Sequence, residues 1–332
     1  MKFLVLVMSS LLSCSVSAKS IFETSNVSFT LRLPYQELLD QNDEEYKIAS
    51  VDTPLKDLPG KVKRRSGNKD QYCKFPHLQL KTDRSLAKNT LFEGVRAVKV
   101  KTHCDVKSNA NLPTSNYGTE KELVLEYFAR QAYRVLAPFA FRTAIAKIQY
   151  ESFDGRYRET KTALLYENIK DLKLRHKLRE ISEADEPYGD DQLTMKYFSS
   201  LLSKFDQQSL ANFYLFQTFI LNESWQLSGL KESTTFAKNA LVVESESGKW
   251  YPLAYDFNRS QLVGEDLTDI YYLSLQRLML DEKPIGIGTQ AWEQAEQNFR
   301  AKAPQLKSLV MELEGVDQDR LIRIIDGFLN LI

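Results

Sequence analysis

The sequence predicts an α+β protein in two parts, a β-rich N-terminal part with one main helix and a mostly helical C-terminal part. Three observations carry this reading. Apolar and polar residues alternate in short runs up to about residue 167. One strongly amphipathic helix interrupts that pattern at 119–136. From residue 171 onward the apolar spacing is mainly helical. The 332 residues are 43% hydrophobic and 27% charged, an ordinary globular balance, and 13 Gly and 10 Pro are too few for a collagen-like or low-complexity chain. Lys+Arg and Asp+Glu number 44 each, so the basic surplus of a nucleic-acid binder is missing and no nucleic-acid partner is expected.

The N-terminus addresses the compartment. Lys2 precedes an apolar run from Phe3 to Leu12, and Val16-Ser17-Ala18 offers a small-residue cleavage site. Residues 1–18 are expected to be a signal peptide, 19–170 the β-rich lobe and 171–332 the mainly helical lobe. Leu11-Leu12-Ser13-Cys14 also resembles a lipobox, so a lipid anchor on Cys14 is the alternative to cleavage. No later run reaches the ~20 apolar residues of a membrane helix. The expected protein is exported, periplasmic or secreted, or else a lipoprotein. Cleavage leaves Cys73 and Cys104, an even pair beside adjacent strands, which favours one disulfide in an oxidising compartment.

The elements follow in order. Strands are expected at Asn26–Leu33, from Val62, at Phe75–Lys81 and at Gly94–Thr102, with Leu58-Pro59-Gly60 as a turn. Arg64-Arg65-Ser66-Gly67-Asn68 reads as a basic loop. Thr119 with Glu122 forms a capping box for the helix that ends at Leu136, before Pro138. Phe141–Ser152 and Thr160–Glu167 flank an Asp154-Gly155 turn as a hairpin. Beyond the acidic loop Glu183–Asp191, helices are expected at Thr194–Phe205, Gln208–Leu221, Leu267–Leu280, Gln290–Lys302, Pro304–Leu313 and Asp317–Leu329. Two short strands lie at Lys238–Glu244 and Trp250–Asp256.

Three histidines are too few and too scattered for most histidine chemistry, and His77, His103 and the cysteines match no standard zinc spacing. No G-x-S-x-G elbow occurs. The distinctive stretch is 222–263. Asp256 ends an apolar strand, where phosphoryl-transfer enzymes hold a metal, and Asn239 begins the preceding strand. If the two strands pair, a carboxylate and a carboxamide lie side by side, an oxygen set suited to Mg²⁺. Read alone, Asp256 is the better match to a strand-end aspartate capping a turn. Hydrolysis by Asp256 with a second acid is a further reading, for which no pattern places the second acid.

These segments, "KVKRRSGNKDQYCKFPHLQL", "VKVKTHCD", "ELVLEYFARQAYRVLAPFAFR", "LLYEN", "LNESW", "KN" and "YPLAYDFN", in this order over roughly 60–265, resemble the spore coat protein H (CotH) family of atypical secretory protein kinases. The likeness is to its Gram-negative exported branch. The resemblance implies an atypical protein-kinase-like two-lobed fold, ATP with Mg²⁺ or Mn²⁺, and phosphate transfer to Ser or Thr of an envelope or secreted protein. It implies Asp256 and Asn239 as metal residues. Lys99 and Glu126 suit the phosphate-holding lysine and its ion-pair partner, with Arg64, Arg65, Gly67 and Lys81 as weaker candidates for phosphate contacts. Relatives carry "GNTDW" where this chain has "LNESW", so the expected catalytic aspartate falls on Ser224, beside Glu223. A serine has no useful basicity near neutral pH. The resemblance therefore implies a weak kinase or a pseudokinase, with a non-catalytic envelope binding or assembly protein as the alternative.

Overall fold

The computed structural model describes residues 20–24, 27–39, 45–54, 56–65, 72–108, 110–181, 191–227, 237–281 and 286–332. The expected signal peptide with Cys14, the loop residue Gly67 and the acidic loop up to residue 190 lie outside these residues.

Strand β1 (Val27–Leu33) leads through the short helix α1 (Tyr35–Leu39) to β2 (Lys47–Asp52), β3 (Asp57–Arg64), β4 (Leu78–Thr82) and β5 (Val98–Lys101). Helix α2 (Glu120–Leu136) follows, then the hairpin β6 (Thr143–Ser152) and β7 (Arg158–Glu167) around Gly155. The seven strands close into a barrel in the order β1-β2-β3-β4-β5-β7-β6. Parallel pairing of β1 with β6, from Val27↔Ala146 to Leu33↔Ser152, seals the ring. Successive strand side chains alternate between the two faces. Phe29, Leu31, Val98, Val100, Ile148 and Tyr150 accordingly fill the interior, each almost wholly buried. The barrel is packed rather than hollow, and the lysines alternating with Val98 and Val100 face outward.

Leu58-Pro59-Gly60 is not a turn; it runs inside β3, with Pro59 opposite Ser50. The strand tolerates the glycine because the chains approach closely there: a Cβ on Gly60 would meet the Lys81 carbonyl oxygen at 2.8 Å.

The rest of the chain is mostly helical. It comprises α3 (Ile169–His176), β8 (Arg179–Ile181), α4 (Asp191–Ser200), a 3₁₀ turn (Leu201–Lys204), α5 (Gln207–Phe219), β9 (Gln226–Leu227), β10 (Ala237–Lys238), β11 (Ala240–Glu244) and β12 (Trp250–Ala254). Helices α6 (Gln261–Gly264), α7 (Asp269–Asp281), α8 (Thr289–Met311) and α9 (Gln318–Leu331) complete it. Helix α5 starts at the Asp206 cap, whose carboxylate accepts from the Ser209 N–H at 2.8 Å. Every residue from Ser209 to Phe219 is buried, so α5 is the central rod of this part. Its Phe213, Phe216 and Phe219 are each fully buried, worth roughly 1.5–3 kcal/mol apiece. Leu125, Phe128, Ala132 and Leu136 bring one face of α2 into the same core. Leu123 on another face packs with Leu164 and Tyr166 of β7. Helix α2 thus belongs to both parts.

A break expected before Pro304 is absent, because α8 is continuous through it. Proline removes one backbone donor from a helix interior and costs ~3 kcal/mol there. Burial of Phe299, Ala303, Leu306 and Val310 along one stripe offsets that cost. Among the described residues no helix is long and apolar enough to cross a membrane.

Cys73 and Cys104 are joined by a disulfide, with Cα atoms 4.7 Å apart and a sequence separation of 31. Around it, Phe75 N–H donates to the Cys104 carbonyl at 3.0 Å and Lys107 N–H to the Tyr72 carbonyl at 2.9 Å. The disulfide therefore ties the approach to β4 to the exit from β5.

Candidate functional site

Strand periodicity places Lys99 and Lys101 on the same outer face of β5, against which α2 lies. Lys101 is the buried member, 6% exposed. Its ammonium donates to Glu122 Oε1 at 2.6 Å, Glu126 Oε2 at 2.6 Å and Asn258 Oδ1 at 2.7 Å. Glu126 also accepts from Arg130 Nη2 at 2.6 Å and Nε at 3.0 Å. Glu122, Glu126 and Arg130 recur every four residues, so a single stripe of α2 presents all three. Glu122 also secures the start of the helix. Its Oε2 accepts from the Gly118 N–H at 2.6 Å, while the Thr119 cap accepts from the Glu122 N–H at 3.1 Å. The capping box thus holds the lysine as well.

Burial works against the charges of Lys101 and Glu126, but the ion pairs outweigh it. Glu122 and Glu126 hold the Lys101 ammonium above its ordinary range, and Lys101 and Arg130 hold the Glu126 carboxyl far below its own.

The expected Lys99–Glu126 pair does not form. Alternation determines which face a strand residue occupies, not how far along the strand its partner lies, and a shift of two residues keeps the face. Lys101 takes Glu126, while Lys99 Nζ donates to the Tyr255 hydroxyl at 2.8 Å. Burial, with Arg65 and Arg130 nearby, lowers the Lys99 pKa despite Tyr255. The phenol of Tyr255 is lowered, because Lys99, Arg65 and Arg130 outweigh its burial.

Arg65, at the end of β3, donates through Nη1 to the Tyr166 hydroxyl. Its guanidinium carbon lies 5.2 Å from the centre of the Tyr166 ring. Lys99 and Tyr166 are directly paired residues of β5 and β7, which puts them on one face. Lys81 is engaged elsewhere, 3.9 Å from the Tyr46 ring centre. Arg64 is buried.

Strands β11 and β12 pair antiparallel with Ala240 opposite Ala254, so Asn239 and Asp256 are adjacent, as their spacing anticipates. The Asp256 N–H faces the Asn239 carbonyl at 3.5 Å. Asn239 has φ +53, and its Nδ2 donates to the Ser224 carbonyl at 2.9 Å and the Ser224 hydroxyl at 3.2 Å. Asp256 Oδ1 accepts from the Asn258 N–H at 3.2 Å and from Asn258 Nδ2. Fully buried Asn222 organises the turn. Its Nδ2 donates to Gln217 Oε1 at 3.0 Å and the Asp256 carbonyl at 3.1 Å, and its Oδ1 accepts from the Ser224 hydroxyl at 2.7 Å. Trp225, wedged edge-on against Phe213 and Tyr214, anchors this turn on α5. Glu223 is exposed.

Ser224, Asn239 and Asp256 therefore meet at one place, and Asn258 links it to Lys101. Among the described residues no three His, Cys, Asp or Glu side chains form a metal cluster. One carboxylate and one amide oxygen fit a Mg²⁺ that draws its remaining ligands from water and phosphate, as that ion ordinarily does. Sequence reasoning missed Lys101, Glu122, Arg130, Tyr166, Tyr255 and Asn258. The four-residue spacing on α2 was the available signal for two of them.

No family model matches the sequence, and no curated protein is significantly similar to it. Among solved structures the chain is similar to one from the Shewanella oneidensis MR-1 toxin–antitoxin system, HipA, HipB and operator DNA complex. The identity is 12% and the TM-score 0.34, over 71% of this chain and 57% of that one. The chain thus spans a little over half the length of that neighbour.

Proposed function

We propose that this is an exported, kinase-like protein of two lobes that binds a phosphoanhydride with a divalent metal and acts as a weak protein Ser/Thr phosphotransferase or a pseudokinase. The observation that carries the reading is the buried Lys101–Glu126 ion pair joined through Asn258 to Asp256. A strand lysine paired to a helix glutamate, beside a strand-end aspartate, is the arrangement with which kinases hold a donor's phosphates and its metal. ATP with Mg²⁺ or Mn²⁺ is the donor that the CotH resemblance implies. Asp256 and Asn239 would hold the metal, which when bound neutralises charge on the phosphates.

The chain's own residues bind and orient. Glu122 and Glu126 keep Lys101 charged and fixed. Asn222 orients the Ser224 turn and, through the Asp256 carbonyl, the strand end. Ser224 stands where the resemblance puts the base but can only pass hydrogen bonds, so transfer relies on positioning and charge and is slow. Exposed Glu223, next to Ser224 in sequence, is the alternative acceptor of the substrate hydroxyl's proton.

The test is phosphotransfer to a general acceptor protein by wild type, Ser224→Asp and Asp256→Ala. Activity raised by Ser224→Asp and abolished by Asp256→Ala supports the reading. If all three are inactive, yet ATP with metal stabilises the wild type and not Asp256→Ala, the protein is a pseudokinase. Absence of binding by any phosphoanhydride would overturn the reading. The non-catalytic envelope-binding alternative is favoured by one observation: the Asn239 amide and the Ser224 hydroxyl are hydrogen-bonded to each other.

A further inference from the structure

Three cations converge on one aromatic ring. Arg65 Cζ, Lys99 Nζ and Arg130 Cζ lie 5.2, 5.6 and 4.4 Å from the centre of Tyr166. Lys99 also lies 4.8 Å from the Tyr255 ring centre, and Arg130 5.0 Å from that of Phe257. Aromatic faces attract cations, yet three cations together repel one another. Glu126 answers Arg130. Among the described residues neither Arg65 nor Lys99 has a carboxylate at ion-pair distance; their polar contacts are the Tyr166 and Tyr255 hydroxyls. Arg130 is 5% exposed, and its Nη1 is buried without a hydrogen-bond partner.

From this cluster we infer that the site takes an inorganic phosphoanhydride chain, such as pyrophosphate or a short polyphosphate, in preference to a nucleotide; the inference rests on the reading proposed above. Stacking on a flat aromatic face is one way a nucleobase is held. Here the faces of Tyr166, Tyr255 and Phe257 that border the site already carry guanidinium or ammonium groups. What these faces offer a ligand is charge. Lys99 and Lys101 project from one face of β5 roughly 6.6 Å apart along the strand. Arg65 shares the Tyr166 ring with Lys99 and so adds a third cation to this cluster. A chain carrying one negative charge or more per phosphate neutralises Arg65 and Lys99, which have no carboxylate at ion-pair distance among the described residues.

Thermal unfolding of the whole protein with sodium tripolyphosphate, ATP or adenosine, each with and without Mg²⁺, tests this. Sulfate at matched ionic strength controls for bulk anion effects. Tripolyphosphate is expected to stabilise the protein at least as strongly as ATP, and adenosine not at all. Lys99→Met should weaken tripolyphosphate binding tenfold or more while Lys99→Arg retains it, which separates lost charge from lost folding. ATP binding more than tenfold tighter than tripolyphosphate, together with a shift from adenosine, overturns this inference and leaves the kinase-like reading standing. Tripolyphosphate binding that survives both Lys99→Met and Arg65→Met also overturns it. If neither ATP nor tripolyphosphate acts beyond sulfate, both readings fall.

Discussion

The Lys101 ammonium lies 2.6 Å from the Glu126 carboxylate, and both groups are almost wholly removed from solvent. A buried ion pair is a weak source of net stability, but losing one partner strands the other in a poor solvent for charge. Here the lysine answers two glutamates. Lys101→Met should therefore destabilise the protein by about 3–5 kcal/mol in denaturant unfolding. Adding Glu122→Gln should recover part of that loss, since it removes one stranded charge and leaves the Glu126–Arg130 pair intact. A Lys101→Met protein as stable as wild type would show that the pair is not buried as described.

His103 gives a pH dependence with a definite sign. Burial pushes its imidazole down to about 4 from the ordinary 6.5, with Glu159 and Asp105 raising it slightly and Lys161 lowering it. The ring stacks on Phe75 with centroids 4.9 Å apart. Because the folded-state pKa is the lower one, the unfolded chain takes up the proton first as pH falls. The contribution is complete above pH 6.5 and is lost progressively down to about 4, by up to about 3 kcal/mol. His103→Phe should flatten the stability profile between these limits. An unchanged slope would place the proton uptake elsewhere.

Gly118 sits between the disulfide and the lysine site. It has φ +74, and a Cβ there would meet Val106 Cγ2 at 2.6 Å and Cys104 Sγ at 3.2 Å. Its N–H is also the donor that holds Glu122 Oε2. Gly118→Ala should cost about 1–3 kcal/mol through backbone strain and overpacking, read by thermal unfolding. The same substitution at Gly248, with φ +77 and nothing within 4 Å, separates the two contributions, because it keeps the strain and lacks the clash.

Periodicity made much of the architecture legible. Alternation of Val98 and Val100 with Lys99 and Lys101 identified β5, and the Thr119 cap with Pro138 bracketed α2. The strand-end placement of Asn239 beside Asp256 followed from pairing two short runs. Other features depend on contacts distant in sequence. Pro59 and Gly60 read as a turn because local propensity says nothing of β2 and β4 on either side. Pro304 read as a break because the packing that offsets its missing donor is tertiary. Lys101 was overlooked for Lys99 because both satisfy the same alternation, and only α2 and the residues after β12 distinguish them. Closure of the barrel by the parallel β1–β6 pairing left no local mark at all.

The two lysines of β5 have a mechanical consequence. Lys101 reaches Asn258 and Lys99 reaches Tyr255, so two neighbouring rungs of the barrel wall are fastened to residues just beyond β12. Rotation of the barrel away from the helical part would have to unfasten both clasps together and expose Glu122 and Glu126. Parting the barrel from the helical part at β5 would thus cost two polar contacts and bring two carboxylates into water at one stroke.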